Sequence, residues 1–148
     1  MALANEKNAI VLNTSNKSEL AMGYSTLYGD SVGALSVLGD LTKTQVRSIA
    51  SSQFADVIPE YILARAPSAE LAPDQKDEDH LPPYDQLDPA LLSLLSHDMS
   101  SKDVSHRVFS QAYKRKQCPP IVRVSECSLD KDWRFPLNSF FSFESIDD

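Results

Sequence analysis

The apolar positions of this chain fall first into a strand-like run and then into helical spacing. Ala9-Ile10-Val11-Leu12 is a short apolar run, and residues 9–14 are predicted as a buried strand. The polar run Asn13-Thr14-Ser15-Asn16-Lys17-Ser18-Glu19 follows. Leu20, Met22, Tyr24 and Leu27 then predict a helix over 18–28. Tyr28 to Gly33 is predicted as a turn, because its glycines permit positive φ. Ala34 to Leu38 is a second strand candidate, broken by Gly39-Asp40. Thr42 is positioned to cap a helix from Lys43 to about Phe54, with Val46, Ile49, Ala50 and Phe54 near helical spacing. Pro59 opens a short helix to Arg65. Helices are also expected over 85–96, rich in leucine, and from a cap at Ser100-Ser101 to about Tyr113. Before the first strand, residues 1–8 read as the end of a helix in which Met1, Leu3 and Ala4 could pack. From Pro119 onward the chain reads as extended, with Ile121, Val122 and Val124 strand-like and an aromatic tail beyond Trp133.

Two polar stretches stand out from this pattern. The loop at residues 13–19 closes a strand and opens a helix, the place where open α/β sheets hold ligands. It offers hydroxyls, an amide, an ammonium and a carboxylate, groups suited to a phosphate and its cation. An ordinary capped helix with a first-turn glutamate explains the same residues. Residues 66–84 hold four prolines and no β-branched residue among acidic and polar side chains. A segment of that length and composition reads as a mobile or functional loop.

Composition narrows the function classes. The 148 residues carry a net charge of −7, which argues against non-specific nucleic-acid or anionic-membrane partners, although Lys114-Arg115-Lys116 is a local basic site. The two cysteines, Cys118 and Cys127, and the histidines His80, His97 and His106 share no metal-ligand spacing. No apolar run approaches the ~20 residues of a membrane span, and a reduced, cytoplasmic setting is expected.

Six blocks in order then resemble one family. They are Asn13 to Glu19, Gly23 to Asp30, Leu41-Thr42-Lys43-Thr44-Gln45, Pro67-Ser68-Ala69-Glu70-Leu71, Asp77 to Tyr84, and Tyr113-Lys114-Arg115-Lys116-Gln117. Their content and spacing resemble the C-terminal half of the synthetase domain of NAD⁺ synthetase, over about residues 1–136, with 137–148 a tail. The Ser-Asn-Lys-Ser-Glu and Thr-Leu-Tyr-Gly-Asp sequences are similar to the glutamine-dependent branch. The small ammonia-dependent enzymes typically carry a lysine where Leu27 stands and an aspartate near Ala34.

The resemblance implies an α/β fold: part of an adenine-nucleotide α-hydrolase-like (ATP-pyrophosphatase) domain with a parallel sheet, its first strands and glycine-rich phosphate loop missing. It implies adenylation of the nicotinate carboxylate of deamido-NAD by ATP, then displacement of AMP by ammonia to give NAD⁺. The ATP contacts carried over are Thr14, Lys43 in the first helical turn, where free N–H groups also favour an anion, and Ser68 in a mobile phosphate loop over 66–84. Glu19 is the Mg²⁺ ligand and is grouped with the deamido-NAD residues Tyr24, Asp30, Lys114 and Arg115. Tyr24 fits a stacking partner for the ligand's rings or a core aromatic equally well. Homo-oligomers and an amidotransferase domain that releases ammonia from glutamine complete the implied partners.

The family's Ser-Gly-Gly-x-Asp-Ser loop, which cradles pyrophosphate, has no counterpart here. The four glycines, Gly23, Gly29, Gly33 and Gly39, are nowhere adjacent. The chain is therefore expected to be a fragment, either a portion of the enzyme or a non-catalytic remnant or interaction module of the same fold. A GMP-synthetase-like protein of this fold is disfavoured by the Pro-Ser-Ala-Glu-Leu and Leu-Pro-Pro-Tyr-Asp blocks. The purified 148-residue chain is predicted to form no NAD⁺ from deamido-NAD, ATP and ammonia, and chromatographic detection of NAD⁺ would refute this.

Overall fold

Two short parallel strands and a layer of helices are held in register by buried polar groups. The computed structural model describes residues 1–69, 71–96, 102–130, 132 and 133. The elements are α1 (Ala2–Glu6), β1 (Leu12–Asn13), α2 (Lys17–Met22), β2 (Leu35–Ser36), α3 (Lys43–Gln53), α4 (Glu60–Ala64), α5 (Tyr84–Leu95), α6 (Lys102–Ser110) and α7 (Ala112–Arg115). A single 3₁₀ turn, Asp77–Asp79, interrupts the long loop before α5. The expected cap at Ser100-Ser101 and the aromatic tail after Trp133 lie outside the described residues.

The sheet is smaller than the sequence suggests. β1 pairs in parallel with β2, Leu12 opposite Leu35 and Asn13 opposite Ser36, and Ser36 forms one further parallel bridge to Ile121. The buried strand expected over 9–14 is a correction: Ile10 and Leu12 are 68% and 50% exposed, whereas Asn13 is buried. Strand side chains alternate between faces, so burying Asn13 turns Leu12 to the opposite face. Asn13 serves as connector rather than core. Its Nδ2 donates to the Asp30 carbonyl at 2.8 Å, and its Oδ1 accepts from Ser36 Oγ at 3.0 Å. Met1, which precedes α1, and Leu3 within it are likewise exposed, so that helix does not pack as expected.

The core lies between α2, α5 and α6. Leu20, Ala21 and Met22 meet Leu87, Leu91, Leu94 and Leu95 of α5 and Val104 and Val108 of α6. Helix α2 is shorter than predicted because Gly23 ends it in the left-handed conformation, φ +60°. A Cβ at Gly23 would come within 2.5 Å of Gln111, so only glycine lets the end of α2 approach the α6–α7 junction this closely. Helix α3 forms with the predicted Thr42 cap but buries no residue fully. Its partly buried Val46 and Ala50 line a groove with Ile58, Ile62 and Leu63, while Ile49 and Phe54 remain open.

Lys17, in the first turn of α2, is 1% exposed. Its ammonium pairs with Asp40 at 2.8 Å and donates to Ser125 Oγ at 2.9 Å and the Cys127 carbonyl at 3.0 Å. Asp40 also accepts from the backbone N–H groups of Val124 and Ser125 at 2.7 and 2.6 Å. Burial alone would raise the Asp40 carboxyl, but Lys17, these N–H groups and the Ser125 hydroxyl outweigh it and hold it below its ordinary value. The resulting stabilisation is complete above about pH 4, where an unfolded aspartate is ionised, and is lost as pH falls through the lower folded value. Asp40→Asn or Lys17→Met should each cost about 3–5 kcal/mol, because one buried charge is left unpaired. Denaturant midpoints at neutral pH measure this, and a loss below about 1 kcal/mol would mean that the pair is dispensable.

Candidate functional site

Two hydrogen-bonded turns and a long loop place most of the chemically promising side chains along one face. Asn16 caps α2 by accepting from the Glu19 N–H at 3.0 Å, and the Glu19 carboxylate Oε2 accepts from the Asn16 N–H at 3.1 Å. This capping box fixes Glu19 in the first turn. Thr42 and Gln45 form the same motif at the start of α3 and fix Lys43. The two elements then meet. Lys43 Nζ lies 2.8 Å from Glu19 Oε1, with side-chain exposures of 21% and 18%. The ammonium also stands over the Tyr84 ring, 5.5 Å from its centroid.

The N-terminus of α3 is closed to anions, contrary to the sequence expectation. The Lys43 N–H donates to Ser18 Oγ at 3.0 Å, the Thr44 N–H to Asp88 Oδ2 at 2.8 Å, and the Gln45 N–H to Thr42 Oγ1 at 3.3 Å. Asp88, 2% exposed, also accepts from the hydroxyls of Ser18 and Thr44. A protein carboxylate already occupies the position a phosphate would take. What Lys43 offers a ligand is its side-chain charge.

Lys43 and Ser68 line a common groove of about 410 Å³ between α3, α4 and the start of the long loop. A second cavity, of about 580 Å³, gathers Tyr24, Asp30, Arg107, Gln111, Lys114 and His80. Residues of the long loop line both regions, Ser68 on one side and Ala69, Leu71 and Gln75 on the other. The loop is anchored rather than uniformly solvated. Asp77 is 3% exposed, its N–H donates to the Pro67 carbonyl at 3.0 Å, and its Oδ2 accepts from Tyr84 Oη at 2.7 Å. Burial first, then the Asp77 carboxylate, pushes the Tyr84 hydroxyl well above the ordinary tyrosine value.

The sequence-derived residues divide accordingly. Lys43 and Ser68 line the groove, Glu19 is joined to Lys43 by the ion pair, and Tyr24, Asp30 and Lys114 line the cavity. Several are partly committed within the protein. Asp30 Oδ1 accepts from the Thr26 N–H at 2.6 Å, and Lys114 Nζ donates to the carbonyls of Gly23 and Ser25 at 2.8 and 3.0 Å. Thr14 is exposed at the end of β1 and lines neither region. Arg115 lines neither region. Adjacent helix positions point about 100° apart, and Arg115 turns inward, donates to the Ala21 carbonyl at 2.9 Å and stacks against Trp133. Burial pulls its guanidinium down to about 10.

Asp40, Asp77, Tyr84 and Asp88 were not singled out from the sequence. Asp88 carries the clearest signal, a lone carboxylate within the leucine face of α5 beside Leu87, Leu91 and Leu95. Among the described residues, no group of three or more His, Cys, Asp or Glu side chains could hold a metal ion. No helix among them is long and apolar enough to cross a membrane.

Comparison with known proteins agrees with the six sequence blocks. The chain is 41% identical to a glutamine-dependent NAD(+) synthetase of Acinetobacter baylyi, over 93% of this chain and 28% of that protein. It is 37% identical to the corresponding synthetase of Thermotoga maritima, over 95% of this chain and 27% of that protein. The chain thus spans less than a third of the length of these curated relatives. Among solved structures, the NMN synthetase from Francisella tularensis superposes with a TM-score of 0.63 at 34% identity, covering 78% of this chain and 48% of that one. Residues 1–128 match the NAD synthase family, and the chain belongs to it.

Proposed function

We propose that this chain is the C-terminal portion of the synthetase domain of a glutamine-dependent NAD⁺ synthetase, and that it supplies part of the ATP site and part of the deamido-NAD site. One observation carries the reading. Lys43, paired with Glu19, and Ser68 share one region, Tyr24, Asp30 and Lys114 share another, and a single loop lines both. A reaction that joins ATP to a pyridine-nucleotide carboxylate needs two adjacent anion-binding regions of this kind.

The chemistry is carboxyl activation. A nicotinate carboxylate oxygen bonds to the α-phosphorus of ATP as pyrophosphate leaves, and ammonia then displaces AMP to form the amide. In this reading Lys43 takes a phosphate by a charge-assisted contact and leaves its pairing with Glu19. Glu19 would then be free to hold a Mg²⁺ through its carboxylate. Such an ion neutralises charge on the phosphates. Ser68 closes the phosphate side, and Thr14 remains a candidate contact from the end of β1. At the cavity, Tyr24 offers a ring, Asp30 an acceptor for ribose hydroxyls and Lys114 an ammonium. Self-association and an ammonia-supplying amidotransferase domain belong to the same reading. The similarity to an NMN synthetase makes the nicotinate mononucleotide the competing substrate, and parallel titrations with mono- and dinucleotide separate the two.

Two outcomes test these assignments. Lys43→Ala should weaken Mg·ATP binding about tenfold, the size of one charge-assisted contact, with little change in stability. Unchanged affinity by calorimetry would remove Lys43 from the site. Lys114→Leu should lower deamido-NAD affinity about tenfold, whereas Arg115→Leu should leave it unchanged because its guanidinium is held by the Ala21 carbonyl and the Trp133 ring and does not line the cavity. An equal loss in both variants would mean that the basic pair acts together after all.

A further inference from the structure

Three cations from α6 and α7 converge on the end of α2. The Ala21 carbonyl accepts from Arg115 at 2.9 Å, the Met22 carbonyl from Arg107 Nε at 3.3 Å, and the Gly23 and Ser25 carbonyls from Lys114 Nζ at 2.8 and 3.0 Å. A helix C-terminus leaves its last carbonyls without intrahelical partners and favours positive charge. Arg107 and Lys114, both half-buried, also line the cavity of about 580 Å³.

These two cations are held by neutral carbonyls alone. Among the described residues, no carboxylate forms an ion pair with Arg107 or Lys114, although the chain carries a net charge of −7. Asp30 is the one carboxylate among the described residues lining the cavity, and its Oδ1 accepts from the Thr26 N–H at 2.6 Å. Cations drawn partly out of water are stabilised by an anion, and here the protein supplies none. Arg107 also has donors to spare. Its Nε is used by Met22 and its Nη1 by the His80 carbonyl at 2.8 Å, which fixes the guanidinium plane. Of the five N–H groups of a guanidinium, those on Nη2 have no partner among the described residues.

We propose that Arg107 is a further binding residue of this cavity, and that with Lys114 it holds the phosphate attached to the nicotinate ribose of the ligand. The proposal rests on the nucleotide reading of the cavity given above. Two unmatched positive charges suit the roughly two negative charges of a monophosphate, or of the pyrophosphate of a dinucleotide, better than the single charge of a carboxylate. The planar fork of the guanidinium can meet two phosphate oxygens at once, while the lysine adds a point charge. With Tyr24 offered to a ring and Asp30 to ribose hydroxyls, the two cations supply the recognition that the rest of the nucleotide requires. Because Nη1 also holds the His80 carbonyl, just after the 3₁₀ turn, the phosphate binds to the same guanidinium that anchors the end of the long loop.

Nicotinate riboside and nicotinate mononucleotide differ by one phosphate, and calorimetric titration of both into the full 148-residue chain tests this. The wild type should bind the mononucleotide about a hundredfold tighter, from two charge-assisted contacts of about tenfold each. Arg107→Gln should cut that ratio to about tenfold and leave riboside affinity unchanged. A guanidinium that only braces Met22 and His80, or that holds the nicotinate carboxylate, would cost both ligands equally, and an equal loss would overturn the proposal. An unchanged ratio in Arg107→Gln would overturn it too. Arg107→Lys keeps a charged donor for the neighbouring carbonyls and serves if the glutamine variant does not fold. It should still lower the ratio, because an ammonium lacks the planar fork, and a wild-type ratio in it would overturn the proposal. A wild-type chain that binds both ligands equally well would overturn the role of Arg107 while leaving Tyr24 and Asp30 as assigned. A wild-type chain that binds neither would overturn the nucleotide reading of the cavity and this role with it.

Discussion

The ion pair between Lys17 and Asp40 is the constraint on which the site geometry depends. Both side chains are almost fully removed from water, at 2% and 0% exposure. Transferring two such charges inward costs several kcal/mol per ion, which is offset only when every remaining proton and lone pair is used. Lys17 meets that condition with Asp40, Ser125 and Cys127, and Asp40 with Lys17, Val124 and Ser125. Few arrangements satisfy so many partners at once, so the pair fixes the turn before α2, the turn before α3 and the strand-like segment after Ile121 relative to one another. Glu19 lies two positions beyond Lys17, and Lys43 three beyond Asp40. Their 2.8 Å approach follows from that register.

Asp88 performs the second task of assembly. It joins α5 to Ser18 and to the first turn of α3 through the hydroxyl of Ser18 and the N–H and hydroxyl of Thr44. The cost of burying a carboxylate is lowered by three donors and by its place at a helix N-terminus. The consequence for function is a subtraction. The α3 dipole and its first N–H groups are spent on the protein's own carboxylate, so recognition of an anion at this face falls to side chains. Charge held on a flexible side chain can move between partners, which a fixed helix end cannot.

The Thr42 cap was legible in the sequence because capping is local, whereas the cap of α2 was placed only within Ser15 to Ser18. Thr42 with Gln45 and Asn16 with Glu19 both have the three-residue spacing of a capping box, and both formed. Helix α5 was legible because its leucines recur at helical spacing. The strands were read too long and too buried, since an apolar run does not reveal which of its two faces is covered. Only Asn13 of β1 and Ser36 of β2, at 1% and 0% exposed, face inward. Lys17, Asp40, Asp77 and Asp88 were read as polar loop, turn or helix residues because their partners lie far along the chain, and nothing local marks a charge that will be buried. The same limit affected Lys114 and Arg115. Their adjacency suggested one basic site, but the turn of the helix sends one ammonium to the cavity rim and one guanidinium beneath Trp133.

Burial separates the two lysine–carboxylate pairs by function, although both span 2.8 Å. Lys17 and Asp40 cannot part without leaving a charge in the interior, so that pair is permanent scaffold. Glu19 and Lys43 keep about a fifth of their side-chain surface open to water. A pair so placed contributes only about 0–1 kcal/mol and is weakened by salt, so either partner can be drawn away at small cost. A phosphate offers Lys43 a stronger anion, and a divalent cation offers Glu19 a stronger cation. In the absence of both, the two residues neutralise each other. In the proposed reading the ion pair is the resting form of the nucleotide site, and the deeper pair, two and three residues away, keeps its halves in place when they part.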